Sequence, residues 1–283
     1  MARYEYPSLR QGLVGAWCPS LGASGLSLID RSGRNGHATL NNMAGQDNWQ
    51  ASGSGVSLAF DGVNDNVTAV NRLGLLGNAL YSCSVWAQVP SGVSGALVWD
   101  GIPSATPTSL ALRVASGGGL SISAGSTGCT VNGGFVAGAW THFTLVYPGT
   151  VIRDMLLYSN GRYLGAVTET NGAGSANVAV NWLSSTVPTI GTLGTGGSFA
   201  NFRGQIDDVR IYNRVLTPAE IRLLASRRGI GLSPLPDRAA GLPRKMSVIN
   251  GAGVRKEGDL YVRTATEWKL GIPGVNTGAG GWK

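Results

Sequence analysis

The stretch Phe202-Arg-Gly-Gln-Ile-Asp-Asp-Val-Arg-Ile-Tyr-Asn-Arg-Val-Leu-Thr-Pro-Ala-Glu-Ile221 joins a strand to a helix in a single run of chain. Gln205 to Tyr212 reads as a strand, yet its alternation breaks at Asp207-Asp208. Neighbouring side chains on a regular strand face opposite sides, so a bulge or a local polar pairing is expected there. Thr217-Pro218-Ala219-Glu220 is a capping box: Thr217 caps free amides, Pro218 removes one, and Glu220 reaches back. Ile221 and Leu224 give the helix a short apolar face, and Gly229, following Arg227-Arg228, stops it.

Upstream, short β-prone runs alternate with Gly, Ser, Asn and Pro from about residue 12. The predicted strands are 12–17, 56–60, 81–88, 96–99, 109–114, 120–124, 140–147, 155–159, 162–167 and 205–212. Asn160-Gly161, between two of them, supplies the positive-φ pair of a type I′ hairpin. Phe143, Leu145 and Tyr147 alternate with Thr144 and Val146, which turns one face of that strand toward a core. Strands at this spacing predict a sandwich or barrel.

Composition narrows the classes further. Of 283 residues, 44 are Gly and 12 Pro, and 13% are charged, against about 25% in an ordinary domain. Coiled coils and charged disordered chains are excluded, and glycines without a three-residue period exclude collagen. No run approaches the roughly 18 apolar residues of a membrane span, so a soluble protein without membrane insertion is expected. The Met1–Pro7 start has no apolar h-region, which predicts synthesis and folding in a cytoplasm. Cys18, Cys83 and Cys129 are widely separated and predict buried free thiols.

Charge divides the chain. Residues 1–226 hold 12 Arg, no Lys and 11 carboxylates, a net of +1; residues 227–283 hold 10 basic and 4 acidic residues, a net of +6. Asp237, Glu257, Asp259 and Glu267 interrupt the basic tail, so a docking surface for an acidic partner is expected rather than nucleic-acid binding. The predicted organisation is a sandwich over 1–226, a Pro-rich extended linker over 227–247 and a basic β-rich tail over 248–283. In that tail Val254–Lys256, Tyr261–Lys269 and Val275–Lys283 echo one another. Small β-units that bury no core of their own usually add to a neighbour. The residues expected to dock are Arg244, Lys245, Arg255, Lys256, Tyr261, Arg263, Trp268, Lys269, Trp282 and Lys283.

Taken in order, Gly12–Trp17, Asp30-Arg-Ser-Gly-Arg-Asn-Gly-His-Ala-Thr-Leu40, Leu58–Asp65, Cys83–Ala87, Trp140-Thr-His142, Ser159-Asn-Gly161 and Phe202–Ile221 resemble the landmarks of laminin G-like domains of the concanavalin A-like lectin/glucanase superfamily. The resemblance covers about residues 12–226. It implies an all-β, two-sheet antiparallel jelly-roll sandwich with one short helix and a C-terminal β-rich extension, a fold that usually binds rather than catalyses. The Tyr-Val-Arg…Trp-Lys units of the tail resemble C-terminal segments of bacteriophage virion proteins. They imply a virion-surface location, capsid or tail subunits as partners, host-surface glycans as ligands and a homo-oligomer. A free-standing carbohydrate-binding or adhesion module is the alternative, and a glycan-cleaving enzyme a third.

Candidate chemistry is sparse. Glycan cleavage needs closely spaced carboxylates, whereas Glu5, Glu169, Glu220, Glu257 and Glu267 stand apart, leaving Asp207-Asp208 as the adjacent pair. His37 and His142 are expected to be structural, and no catalytic residue or required cofactor is predicted. Calcium is the inorganic partner the chain would take, at Asp61, Asn64 and Asp65, although Asp and Asn at such a turn commonly bond their own backbone. Trp49, Trp99 and Trp182 sit beside polar or turn residues and are the expected glycan-stacking aromatics. Trp17, Trp86 and Trp140 are expected in the core.

Overall fold

The computed structural model describes residues 5–43, 48–53, 55–101, 107–125, 127–171, 175–183, 187–193 and 201–233, with 246–249, 255–258, 261–263 and 268–270. It forms two compact units, Tyr6–Ser233 and a second made of Met1–Glu5 with Pro234–Lys283. Among the described residues no helix is long and apolar enough to cross a membrane.

The larger unit begins with β1 (Leu13–Trp17), β2 (Ser27–Leu28), β3 (Ala38–Asn41), β4 (Trp49–Ser52), β5 (Gly55–Asp61) and β6 (Asn66–Ala69). Its middle holds β7 (Tyr81–Gln88), β8 (Gly95–Gly101), β9 (Ser109–Val114), β10 (Gly119–Ala124), β11 (Thr127–Gly134) and β12 (Trp140–Tyr147). β13 (Leu156–Ser159), β14 (Arg162–Ala166), β15 (Thr168–Asn171), β16 (Thr189–Ile190) and β17 (Arg203–Tyr212) follow, then helix α1 (Pro218–Leu224). One sheet runs β14-β13-β12-β7-β17-β5-β4, with β1 also on β17; the other runs β15-β11-β10-β9-β8-β16-β6-β3-β2. The strands pair antiparallel, as in β7 and β12 from Trp140 opposite Gln88 to Tyr147 opposite Tyr81. This is the two-sheet sandwich that the family resemblance implies, and it decides between the sandwich and barrel that the strand spacing leaves open.

Alternation explains the core. Cys83, Val85 and Ala87 of β7 and Phe143, Leu145 and Tyr147 of β12 face Leu110, Leu112 and Val114 of β9 and Leu120, Ile122 and Ala124 of β10. Each large apolar side chain so buried contributes about 1.5–3 kcal/mol. The three cysteines lie free and buried, and burial pushes the Cys83 thiol up to about 12.

The outer face of the first sheet is covered as well. Val146, Tyr158 and Tyr212 pack beneath Ile221 and Leu224 of α1 and beneath Ile230 and Leu232. Two faces of β12 are therefore buried, where its pattern predicts one. The same packing moves the domain boundary: 227–233, assigned from the sequence to the linker, carry Ile230 and Leu232 into this second core and belong to the sandwich.

Local signals are realised at both sites that carried them. Asn160 and Gly161 turn at φ 48 and 78, and α1 has both halves of its capping box, with Arg214 holding Glu220 through two bonds of 2.9 and 2.8 Å.

In the second unit, β18 (Met246–Ile249) pairs with β19 (Arg255–Gly258) and β20 (Tyr261–Arg263) with β21 (Trp268–Leu270), as two antiparallel two-stranded sheets. Arg255, Lys256, Tyr261, Arg263, Trp268 and Lys269 sit on these strands. Arg244, Lys245, Trp282 and Lys283, with the run 275–283, lie outside the described residues.

Candidate functional site

Asp207 and Asp208 are brought together by a bulge. Asp207 lies opposite Trp86 of β7, and pairing resumes with Arg210 opposite Ser84, so β17 carries an extra residue. Asp208 absorbs it at φ 46. Ile206, Val209 and Ile211 thereby stay in the core while both carboxylates reach the outer layer. Asp208 accepts from Arg210 at 2.7 and 2.8 Å and from the Gly229 amide at 2.7 Å. Asp207 accepts from the Ser20 amide at 3.1 Å and faces Arg228 at 3.3 Å. The Arg228 guanidinium stacks on Trp140 at 4.2 Å, and His142 lies against Trp86 at 5.4 Å. Asp207 and Arg210 are 0% exposed and Asp208 2%. The pair is a sealed structural ion cluster that no polymeric substrate reaches.

The cluster titrates in opposing directions. Burial, with the Asp208 charge adding to it, raises the Asp207 carboxyl to about 6. Burial lowers His142 to about 3, and among the described residues its Nδ1 has no partner. The unfolded chain protonates this histidine near pH 6.5. Stability carried by neutral His142 is thus complete above about pH 6.5 and is lost as pH falls toward 3. For Asp207 the folded chain binds the extra proton between about pH 4 and 6, so its contribution is present at low pH and is lost as pH rises through 6. His142→Gln should remove only the first effect. Urea titrations at pH 7 and 4.5 should show the variant gaining about 2–3 kcal/mol on the wild type at the lower pH.

The expected stacking aromatics do not form a platform. Trp182 is 1% exposed and packs on Tyr81 at 5.1 Å; Trp99 is 8% exposed within a strand buried along its length. Trp49 is half-buried, its indole N–H donating to the Gly25 carbonyl at 2.9 Å. Each has polar sequence neighbours, but long-range packing sets its exposure. Trp17 is in the core as expected, whereas Trp86 and Trp140, expected there too, are half-buried beside the ion cluster.

The predicted calcium turn closes on itself. Asp61 Oδ1 accepts from the amides of Val63, Asn64 and Asp65 at 2.7, 3.3 and 3.5 Å. Asp65 Oδ2 accepts from the Asp61 amide and from Asn48. The Asn64 carbonyl accepts from the side chains of Asn42 and Asn66. Among the described residues no three His, Cys, Asp or Glu side chains are grouped to hold a metal ion.

A cleft of about 590 Å³ opens instead where the turn before β3 meets the loop after β6. Asn71 donates to the Asn35 carbonyl at 3.1 Å, and the Val70 amide to that of His37 at 2.9 Å, tying the two loops together. Arg34 and Arg72 flank the opening, with Val14, Gly36, Val70 and Leu73 also lining it. The sequence signalled the first loop only as a family landmark, and nothing in it paired Arg34 with Arg72.

Residues 61–222 match Laminin_G_3 of the Concanavalin A-like lectin/glucanases superfamily. The chain belongs to this superfamily. No curated protein matches its sequence. Among solved structures, this superfamily sandwich is similar to domain 4 of AbnA, a GH43 extracellular arabinanase from Geobacillus stearothermophilus in complex with arabinotriose. Identity is 18% and the TM-score 0.53, over 76% of this chain and 98% of that one. It is similar to Trypanosoma rangeli sialidase in complex with sialic acid (19%, TM-score 0.51, covering 76% and 32%). It is also similar to the binding domain of Paraclostridial Mosquitocidal Protein 1 (16%, TM-score 0.53, covering 77% and 52%). The chain thus spans about a third of the sialidase and about half of the toxin fragment. At these identities the likeness is one of fold.

Proposed function

We propose that this protein binds carbohydrate without cleaving it, as a virion-surface component whose sandwich presents the cleft and whose C-terminal hairpins dock on capsid or tail proteins. The observation that carries the binding role is the open cleft, whose volume falls within the ~300–1,000 Å³ of small-molecule sites. The sealed Asp207-Asp208 pair supports the non-catalytic part, because glycan cleavage needs carboxylates in contact with the bond being broken. The arabinotriose complex of a similar domain adds support, as does a toxin's binding domain of like fold. Neither a cofactor nor calcium is required for this role.

The docking role rests on the tail. Two-stranded sheets this short are marginal alone in water, and the basic tail holds 10 of the chain's 22 Lys and Arg. Pairing with a particle or with other copies of the chain supplies the missing strands. A chain ending at Ser233 is expected to keep its melting temperature and its glycan-array pattern and to lose incorporation into particles. Normal incorporation contradicts the docking role. Ending the chain at Ser226 instead strips Ile230 and Leu232 from the second core and confounds the test.

A further inference from the structure

We infer that the cleft between the 31–36 turn and the 70–73 loop binds a carboxylate-bearing sugar, with Arg34 and Arg72 gripping the acid group; this rests on the carbohydrate-binding role proposed above. Both guanidiniums border the cleft, and neither makes a hydrogen bond or ion pair with a described residue. Their charge is therefore available to a ligand. The carboxylate beneath the floor, Asp30, is occupied. Its Oδ1 accepts from the Ala16 and Ser32 amides, and its Oδ2 from the Ser32 hydroxyl and the Gly36 amide. Arg31, beside it, donates to the Leu21 carbonyl and adds to the positive field. Field lines from several cations focus in a concave site and draw in anions.

The remaining lining selects a sugar over a bare anion. Val70, 59% exposed at the rim, offers apolar surface to the C–H face of a pyranose, whereas Val14 and Leu73 line the cleft but are buried, at 3% and 6% exposure. Gly36, whose amide is held by Asp30, also lines the cleft. A guanidinium binds a carboxylate through two parallel bonds, which orients the ring toward Val70.

The test is an NMR titration of the full chain with D-glucuronate, D-glucose and inorganic phosphate in parallel. Saturable shifts with glucuronate, weakening as salt rises, are expected, with glucose and phosphate at least ten-fold weaker. Arg34→Gln and Arg72→Gln should each reduce glucuronate affinity roughly ten-fold at unchanged melting temperature, because both side chains are exposed. Arg162→Gln, an exposed arginine on β14, should leave affinity unchanged. Phosphate binding as tightly as glucuronate would mark a bare anion site and overturn the inference. Neutral glycans that bind while glucuronate is silent overturn it and leave the proposed function standing; failure of every sugar on an array overturns both.

Discussion

Asp208→Asn is expected to destabilise the sandwich by about 3–5 kcal/mol, because it leaves the Arg210 charge buried without its partner. Asn is close to Asp in shape and tolerates the positive φ of 46 that the bulge imposes. Its side-chain oxygen can still take the Gly229 amide, so the change isolates the charge. For a unit of this size the loss corresponds to a fall in melting temperature of about 6–20 °C. The double variant Asp208→Asn/Arg210→Met should recover much of it, since an apolar side chain in that volume carries no desolvation cost. Calorimetry of the three proteins checks this. A single variant that melts within a degree or two of the wild type contradicts the ion cluster's role.

Gly204→Ala is expected to cost about 2–5 kcal/mol through strain and overpacking together. Gly204 holds φ 141, and an added Cβ would lie 2.5 Å from the Gln88 carbonyl oxygen, 2.7 Å from the Phe202 ring and 3.0 Å from Pro90. The Phe202-Arg-Gly spacing thus has a physical cause: the phenyl ring folds back over a residue that must lack a side chain so that Phe202 can fill the core. Gly117, with no atom within 4 Å of an added Cβ, supplies the contrast. Gly117→Ala should be neutral or stabilise by up to about 1 kcal/mol, by restricting the unfolded chain. The urea midpoint of Gly204→Ala should fall well below the wild type's and that of Gly117→Ala should lie at or above it, and equal midpoints would contradict the close approach at Gly204.

What was legible in the sequence was local. Asn160-Gly161 and Thr217–Glu220 encode their own turn and cap within a few residues, and the broken alternation at Asp207-Asp208 announced the bulge. Long strands such as β7 and β12 were legible because burial on the inner face imposes a period of two. Short strands, β2 and β16 among them, carry too few residues to show a period. Trp86, Trp99, Trp140 and Trp182 depart from their expected exposure for a related reason. Trp182 owes its burial to Tyr81, about a hundred residues away, and Trp140 meets Arg228 only because the 227–233 turn folds back over the first sheet. The cleft is harder still to read, because Arg34 and Arg72 converge from loops that face each other only once β3 pairs with β6.

Binding without cleavage is tested most directly by incubating the full chain with acidic and neutral oligosaccharides and following the ligand by NMR for a day. Line broadening reports binding, and new anomeric resonances report cleavage. Saturable broadening of an acidic glycan with no new anomeric signal is the predicted result. New anomeric signals that vanish in Asp207→Asn, or spectra unchanged at every concentration, would contradict it.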